Sequence, residues 1–299
     1  MMATAKQLSG HLIENEPMAR YTSWRVGGLA DRVYKPSSIE DVQAYLVSRP
    51  VDEAIVWLGL GSNVLIRDGG IRGSVIYTRG CLKQMSYSDA DGLYVEAGVP
   101  CAHVAKFAAD NNLLDAEFLA GIPGTMGGAL AMNAGAFGGE TWGLVNKLVL
   151  INRQGERIER KAGEFNVSYR HVSLASNEWF VACYLKMPRG ENLQGREKIR
   201  ELLAARSASQ PTNMPSCGSV FKNPPSDYAA RLIELSGLKG KQVGGAQVSI
   251  KHANFILNTG GATANDIERL MNQVKSTVLE QHGVELEEEV RVIGEGANA

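Results

Sequence analysis

The sequence predicts an α+β protein, because amphipathic helix patterns and short apolar strand patterns are mixed along its 299 residues. Two glycine-rich turns stand out among them. The first, Gly59-Leu-Gly-Ser-Asn63, directly follows the apolar run 54–58, which is typical of a short buried strand. The second, residues 121–139, places many glycines among small apolar residues, a composition that would be costly in an ordinary core. Glycine lets the main chain approach an anion or a flat ring closely, so we interpret the two turns as a cofactor-binding site.

The remaining elements follow from hydrophobic periodicity and capping residues. Helices are predicted at 38–48, 101–111, 196–206 and 263–283, the first and last opening on Ser-x-x-Asp and Thr-x-x-Asp capping patterns. Strands are predicted at 54–58, 74–78, 93–97, 147–152, 156–160, 179–187 and 284–293. A shift to charged and turn residues near 188–192 indicates that a separate lobe begins there.

The composition argues against several classes of protein. There are 31 basic and 32 acidic side chains, so a formal charge of -1 provides no general attraction for nucleic acid or acidic membranes. The four cysteines are scattered, and His103 near Cys101 is too little for a metal site. No signal-peptide pattern or membrane-span pattern is present, so we expect a metal-free cytoplasmic protein without membrane insertion.

The glycine turns do not match the common nucleotide-binding motifs. The dinucleotide fingerprint would need a third glycine where Val64 stands, and no Gly-Lys-Ser/Thr follows Gly121 or Gly124 to complete a P-loop. A Rossmann domain and a P-loop NTPase are therefore disfavoured.

Three further segments carry residues suited to chemistry. In 217–225, Lys222 suits a pyrophosphate and Asn223 can donate and accept hydrogen bonds, although the composition alone favours a structured turn. Arg170 lies in a polar stretch where a solvated surface role is the default, yet a guanidinium also binds a carboxylate through two hydrogen bonds. In the alternating run 284–293, Glu289 shares its face with other charged residues, most of which are simply solvated in such strands.

Taken together, these segments resemble the UDP-N-acetylenolpyruvoylglucosamine reductase family, the flavoenzymes called MurB. The matching segments, in chain order, are 21–28, 59–63, 121–128, 133–136, 169–170, 218–224 and 289–291. Each motif is weak alone, whereas the ordered set spans nearly the whole chain. The short spacing between residues 170 and 218 resembles the shorter, type II form, which lacks an extra substrate-covering loop.

The resemblance implies an FAD-binding fold of the vanillyl-alcohol oxidase type, made of two α+β lobes, with a C-terminal α+β substrate-binding lobe. The implied bounds are 1–70 for the first FAD-binding lobe, 71–190 for the second and 191–287 for the substrate-binding lobe. The C-terminal segment 288–299 is a candidate addition to the first lobe.

The resemblance also implies a function: conversion of UDP-N-acetylglucosamine enolpyruvate to UDP-N-acetylmuramate in peptidoglycan precursor synthesis, with non-covalent FAD and with NADPH as co-substrate. In this ping-pong reaction NADPH reduces the flavin and NADP leaves, after which the methylene carbon of the enolpyruvyl ether accepts the hydride. Ser219 would protonate the adjacent carbon, while Arg170 and Glu289 would stabilise the enolate-like charge.

The remaining site residues are likewise assigned by similarity. Those expected to contact FAD are Gly59, Gly61, Ser62, Asn63, Gly121, Gly124, Thr125, Gly127, Gly128 and Asn133. Those expected to contact the UDP-sugar are Lys222, Asn223, His252 and Asn254. Two alternatives stay open at this stage: another FAD oxidoreductase of the same superfamily, and a noncatalytic module that binds a flavin or a nucleotide sugar.

Overall fold

The computed structural model describes residues 8–190 and 194–297. Its α-helices are α1 (Ile39–Ser48), α2 (Cys101–Asp110), α3 (Met126–Ala131), α4 (Gly195–Ser209), α5 (Ala229–Leu235) and α6 (Ala264–His282). None of these helices is both long enough and apolar enough to cross a membrane.

The strands of the described residues are mostly short. They are β1 (His11–Pro17), β2 (Leu29–Lys35), β3 (Ile55–Leu58), β4 (Val64–Ile66), β5 (Ile71–Tyr77), β6 (Met85–Ser88), β7 (Gly92–Glu96), β8 (Gly135–Ala136), β9 (Gly139–Glu140), β10 (Val145–Asn152), β11 (Arg157–Lys161), β12 (Val167–Ser168), β13 (His171–Val172), β14 (Glu178–Leu185), β15 (Gln242–Val243), β16 (Ala246–Val248), β17 (Ile256–Asn258) and β18 (Arg291–Ile293). Helices and strands are thus intermixed along the chain, and the predicted α+β class is confirmed.

The chain divides into two compact units. The first comprises the described parts of residues 1–14, 32–60 and 73–204, and the second those of 15–31, 61–72 and 205–299. The three lobes expected at 1–70, 71–190 and 191–287 divide the chain at positions that differ from the bounds of these two units. They stay a prediction.

The first unit contains an antiparallel five-stranded sheet with the strand order β11-β10-β14-β7-β6. The strands predicted at 147–152 and 156–160 are confirmed as β10 and β11, which pair in a hairpin with Ile151 opposite Arg157. A four-stranded sheet has the order β1-β2-β5-β3, in which β3 and β5 run parallel. Helix α1 begins as predicted, because the Ser38 hydroxyl accepts a 3.2 Å hydrogen bond from the N–H of Asp41. Its buried Val42 and Leu46 share a core cluster with Val149 on β10.

Helix α6 organises the second unit. Thr263 and Asp266 form the predicted capping box, and Gly283, with a φ of 67°, ends the helix in the left-handed conformation. Its core stripe is fully buried, and each such side chain contributes about 1.5–3 kcal/mol; the stripe consists of Ile267, Leu270, Met271, Val274 and Val278. At its start, the Asp68 carboxylate accepts hydrogen bonds from the N–H groups of residues 264 and 265. The helix is therefore fixed to the segment 61–72.

The strand predicted at 284–293 is wrong over most of its length. Only β18 is a strand, and it pairs in parallel with β4. The preceding residues keep the predicted alternation in part, since Leu286 and Val290 are buried. Their main chain, however, bonds to residues 220–222 over three residues, which is too short and irregular for a regular strand.

Candidate functional site

The first glycine turn begins where β3 ends, and in the first unit Gly59 lies against Thr125. A Cβ atom at position 59 would stand 2.2 Å from Thr125 Oγ1, so only glycine fits without a shift. Thr125 is 2% exposed, and its hydroxyl has no hydrogen-bond partner among residues 8–190 and 194–297. A buried hydroxyl without a partner is destabilising, so this position suits a ligand that offers a hydrogen-bonding oxygen. A flavin diphosphate meets that requirement.

The other glycines of the loop 121–139 have different surroundings. A Cβ at Gly121 would stand 2.4 Å from the Phe137 ring, and one at Gly127 would stand 2.9 Å from the Ala97 Cβ. Both glycines therefore permit close packing within the unit. Gly124 accepts a hydrogen bond from the N–H at the start of α2. Gly128 is exposed, and its nearest neighbour would be 3.9 Å from an added Cβ, so its main chain is open to a ligand.

The rest of the first turn belongs to the second unit. Gly61 has a φ of 68°, and an added Cβ would stand only 1.9 Å from the carbonyl oxygen of Tyr21, so glycine is required on both counts. Ser62 follows, half-buried, in the turn. The side chain of Asn63 donates a 3.0 Å hydrogen bond to the carbonyl of Glu289, and its own carbonyl accepts one from Arg291. Asn63 thus connects this turn to the C-terminal segment.

Arg170 occupies the tight turn of the β12–β13 hairpin in the first unit. Its φ of 54° is unusual for a non-glycine residue and fixes the direction in which the side chain leaves the turn. Its guanidinium donates to the carbonyl oxygens of Gly135 at 3.2 Å and Asn133 at 3.4 Å. The cation is therefore held in a set orientation by main-chain acceptors.

Asn133 supports the same hairpin. This 2%-exposed residue accepts a hydrogen bond from the N–H of Trp142 and donates to the carboxylate of Glu140 and to the carbonyl of Ser168. Its side chain is thus engaged within the protein, and its predicted contact with FAD would use other atoms of the residue.

Ser219 lies in the second unit between two anchored positions. On one side, the Cys217 thiol lies 3.5 Å from the carbonyl oxygen of Val64, and burial raises its pKa to about 12, so it stays a neutral donor. On the other side, the N–H of Glu289 donates to the carbonyl of Val220 at 2.8 Å. The half-buried Ser219 hydroxyl makes no hydrogen bond to any part of the chain that the structure describes. Ser219 and Glu289, both predicted to be catalytic, therefore belong to hydrogen-bonded segments.

The residues predicted to hold the UDP-sugar also lie in this unit. Lys222 forms an ion pair with Glu287, in addition to a 2.8 Å main-chain bond between the same residues. The exposed Asn223 accepts a hydrogen bond from the first N–H of α5. Both side chains are near the surface, where a nucleotide could replace their present partners.

His252 and Asn254 lie in the turn between β16 and β17. The His252 ring packs edge-on against Phe255 with centroids 4.8 Å apart, and burial lowers its pKa. Its Nδ1 has no partner in the described part of the chain. Asn254 is 3% exposed, and its side chain bonds to both main-chain groups of Phe221.

Sequence reasoning missed one residue of this arrangement, Gly135. A Cβ there would stand 2.5 Å from the carbonyl oxygen of Gly139 and 3.2 Å from a terminal nitrogen of Arg170. The motif Asn133-Ala-Gly-Ala136 contained this glycine, but the need for it depends on the close β8–β9 pairing with Gly139, which the motif alone does not show.

Comparison with known proteins assigns the family. A model described as "FAD binding domain" matches residues 30–159, and one described as "UDP-N-acetylenolpyruvoylglucosamine reductase, C-terminal domain" matches residues 210–293. The reductase of Methylococcus capsulatus is 57% identical over 98% of this chain and 96% of its own, and that of Legionella pneumophila strain Paris is 55% identical over 96% and 95%. The crystal structure of MurB from Thermus caldophilus matches with a TM-score of 0.81 and 30% identity, covering 96% of this chain and 99% of that one. The predicted FAD-binding fold is thereby confirmed, and the chain belongs to the UDP-N-acetylenolpyruvoylglucosamine reductase family.

Proposed function

We propose that this chain is the FAD-containing, NADPH-dependent reductase that converts UDP-N-acetylglucosamine enolpyruvate to UDP-N-acetylmuramate in peptidoglycan precursor synthesis. The observation that carries the proposal is similarity to reductases of that name over 98% of the chain, which includes both the FAD-binding and the C-terminal matches. The reaction adds a hydride from NADPH and a proton across the carbon–carbon double bond of the enolpyruvyl ether.

The residues proposed to hold FAD come from both glycine-rich segments. They are Gly59, Gly61, Ser62, Asn63, Gly121, Gly124, Thr125, Gly127, Gly128 and Asn133. The buried Thr125 hydroxyl supports the assignment, because a phosphate oxygen would give it a partner. When bound, FAD supplies hydride transfer from NADPH to the methylene carbon of the substrate.

Ser219 is proposed to donate the proton. A serine hydroxyl is a weak acid, so it can protonate only a strongly basic carbon, such as the one next to the substrate carboxylate after hydride addition. The next residue, Val220, is anchored through both of its main-chain groups, which supports a fixed position for the hydroxyl. Water would then restore the serine proton between turnovers.

Arg170 and Glu289 are proposed to stabilise the charge that develops during the reaction. A guanidinium that already has a set orientation stabilises a carboxylate or enolate without reorganising during the reaction. The half-buried Glu289 is held through its main chain by Val220 and Asn63, which supports a fixed carboxyl position.

The UDP-sugar is proposed to contact Lys222, Asn223 and His252, whereas the side chain of Asn254, also expected to contact it, is bonded to Phe221. For Lys222, the present ion pair with Glu287 supports the role, because that carboxylate is 73% exposed and can be exchanged for a diphosphate at little cost.

We also propose the lobe bounds 1–70, 71–190 and 191–287. We propose a cytoplasmic location as well, where charged nucleotide substrates would be accessible.

The visible spectrum of the purified protein under anaerobic conditions tests this function. We expect bound flavin to bleach when NADPH is added, and its colour to return when UDP-N-acetylglucosamine enolpyruvate follows. A flavin that bleaches but does not regain colour with this substrate would indicate a different flavin oxidoreductase. Absence of flavin after reconstitution with FAD would contradict the cofactor assignment itself.

A further inference from the structure

We infer that Asn254 is a positioning residue for proton transfer: its buried side-chain amide fixes the main chain at Phe221 and thereby the adjacent segment that carries Ser219. The inference deepens the proposed function and rests on it, because it requires Ser219 to be the proton donor. It gives Asn254 the role of positioning Ser219 instead of the contact with the UDP-sugar that the resemblance implies.

The geometry of the amide carries this inference. Asn254 Oδ1 accepts a 3.0 Å hydrogen bond from the N–H of Phe221, and Nδ2 donates a 2.8 Å hydrogen bond to the carbonyl of the same residue. One side chain therefore satisfies both main-chain groups of one residue, as a neighbouring strand would. The carbonyl of Asn254 also accepts a 2.9 Å hydrogen bond from the N–H of Val220.

The segment after Ser219 is bonded at every main-chain group from the N–H of Val220 to the N–H of Lys222. The carbonyl of Val220 accepts from Glu289, and the N–H of Lys222 donates to the carbonyl of Glu287. Asn254 supplies the remaining partners, those of Phe221 and of the Val220 N–H. Before Ser219, in contrast, the link to the anchored Cys217 passes through Gly218, which has a φ of 75° and no atom near an added Cβ. The position of Ser219 is therefore set mainly from its C-terminal side.

Asn254 is itself held in place. The Ser249 hydroxyl accepts hydrogen bonds from the N–H groups of Lys251 and His252, and the N–H of Ser249 donates to the carbonyl of Phe255. These bonds close the turn around Asn254, whose side chain is 3% exposed. Only one N–H and one oxygen lone pair of this amide are left over, and the residue is 3% exposed, so the amide offers little to a substrate while it holds Phe221.

The variant Asn254→Ala tests the inference in the FAD-loaded protein. Three quantities are measured: the rate of flavin reduction by NADPH, the Kd of the enolpyruvyl substrate from its perturbation of the oxidised flavin spectrum, and the limiting rate of reoxidation by that substrate. We expect reduction and Kd to stay within about twofold, whereas the limiting reoxidation rate falls about 10- to 100-fold, since displacement of a reacting group by an ångström has effects of this size.

The matched control is Asn258→Ala. Asn258 lies at the end of β17, and its side chain also bonds to main chain, donating to the carbonyl of Trp24 and accepting from Gly260. We expect this variant to lower stability and to leave the limiting reoxidation rate unchanged. If both variants lower the two rates and raise the Kd together, Asn254 has only a general structural role and the inference fails.

Other outcomes are equally decisive. A raised Kd with an unchanged limiting rate would make Asn254 a substrate-binding residue, and an unchanged variant would remove it from the site. If Asn254→Ala does not fold, Asn254→Asp keeps the shape and the acceptor for Phe221 N–H, and the same three measurements apply. If the unmodified protein is not reoxidised by the substrate, the proposed function fails first, so the two failures are distinguishable.

Discussion

The main-chain N–H of Glu289 donates a 2.8 Å hydrogen bond to the carbonyl of Val220, the residue that follows Ser219. The same carbonyl lies 3.3 Å from the N–H of Val290. The proposed proton donor and the proposed acidic residue therefore sit on segments that cannot shift independently. Substitutions that disturb one of these segments should affect both functional groups.

Ser219→Ala should separate the two half-reactions. FAD content and flavin reduction by NADPH should be unchanged, whereas reoxidation by the enolpyruvyl substrate should slow by about 10²- to 10⁴-fold, the usual contribution of a general acid. Stopped-flow absorbance of the flavin measures both rates. Ser216→Ala is the control, because the Ser216 hydroxyl lies in the same loop and bonds weakly to the carbonyl of Met214. Normal turnover by Ser219→Ala would remove that hydroxyl from the mechanism.

Arg170→Lys should lower the limiting reoxidation rate by about tenfold or more while the positive charge is kept. An ammonium group cannot present the planar fork that bonds to both Asn133 and Gly135, so the charge would lose its set direction. The same stopped-flow measurement applies. Arg189→Lys is the control, since Arg189 is exposed and pairs with Asp89. Equal rates for the two variants would show that charge alone, without orientation, is sufficient at position 170.

Gly59→Ala should weaken FAD binding, with a Kd about tenfold higher, or about 1.4 kcal/mol. The added methyl group would collide with Thr125 Oγ1, and the shift needed to relieve the collision changes the surface offered to the cofactor. Titration of the apoprotein with FAD, followed by flavin fluorescence, gives the Kd. Gly163→Ala is the control, because nothing lies within 4 Å of its added Cβ. The prediction fails if both variants bind FAD like the unmodified protein.

His252 should make the protein less stable as the pH falls. Burial lowers the pKa of His252 in the folded state below its ordinary value of 6.5, so the unfolded chain binds the proton more readily. This contribution to stability is fully present above pH 6.5 and is lost as the pH falls from there towards the folded pKa. Urea unfolding midpoints at a series of pH values measure the effect.

His252→Phe should flatten this acid-side dependence, since it removes the titrating ring and keeps an aromatic packing partner for Phe255. His103→Gln should behave like the unmodified protein, because His103 is exposed on α2. An unchanged slope in His252→Phe would mean that other groups cause the loss of stability.

Local signals in the sequence predicted the four longer α-helices well, whereas α3, α5 and several strands, including β1 and β2, were not predicted. Ser38, Thr263 and Gly283 act as the helix boundaries that their residue types predict, because capping depends on neighbours within a few positions. The run 284–293 was misread for the opposite reason. Its alternation reflects the burial of Leu286 and Val290, but whether such a run becomes a strand depends on a partner strand elsewhere in the chain.

The site was predictable as a set of motifs, while its internal support was not. Asn63, Asn133 and Asn254 were assigned to ligands, yet each bonds through its side chain to main-chain groups of the protein. An asparagine side chain carries the same donor and acceptor as a peptide group, so residue type alone does not distinguish these uses. Their partners are far apart in sequence, as for Asn63 and Glu289, and only the folded chain brings them together. Their proposed ligand contacts stay predictions.

The parallel pairing of β4 with β18 has a consequence for the order of events during synthesis. Residues 64–66 acquire their strand partner only when residues 291–293 have been made, so this part of the second unit cannot be completed before that distant segment has been synthesised. Its buried Leu65 and Trp24 belong to one core cluster with residues of α6. A recombinant fragment restricted to residues 205–299 would leave gaps at both positions and lack the Asp68 carboxylate at the start of α6. Nascent chains should therefore depend on protection from aggregation until residues 291–293 emerge.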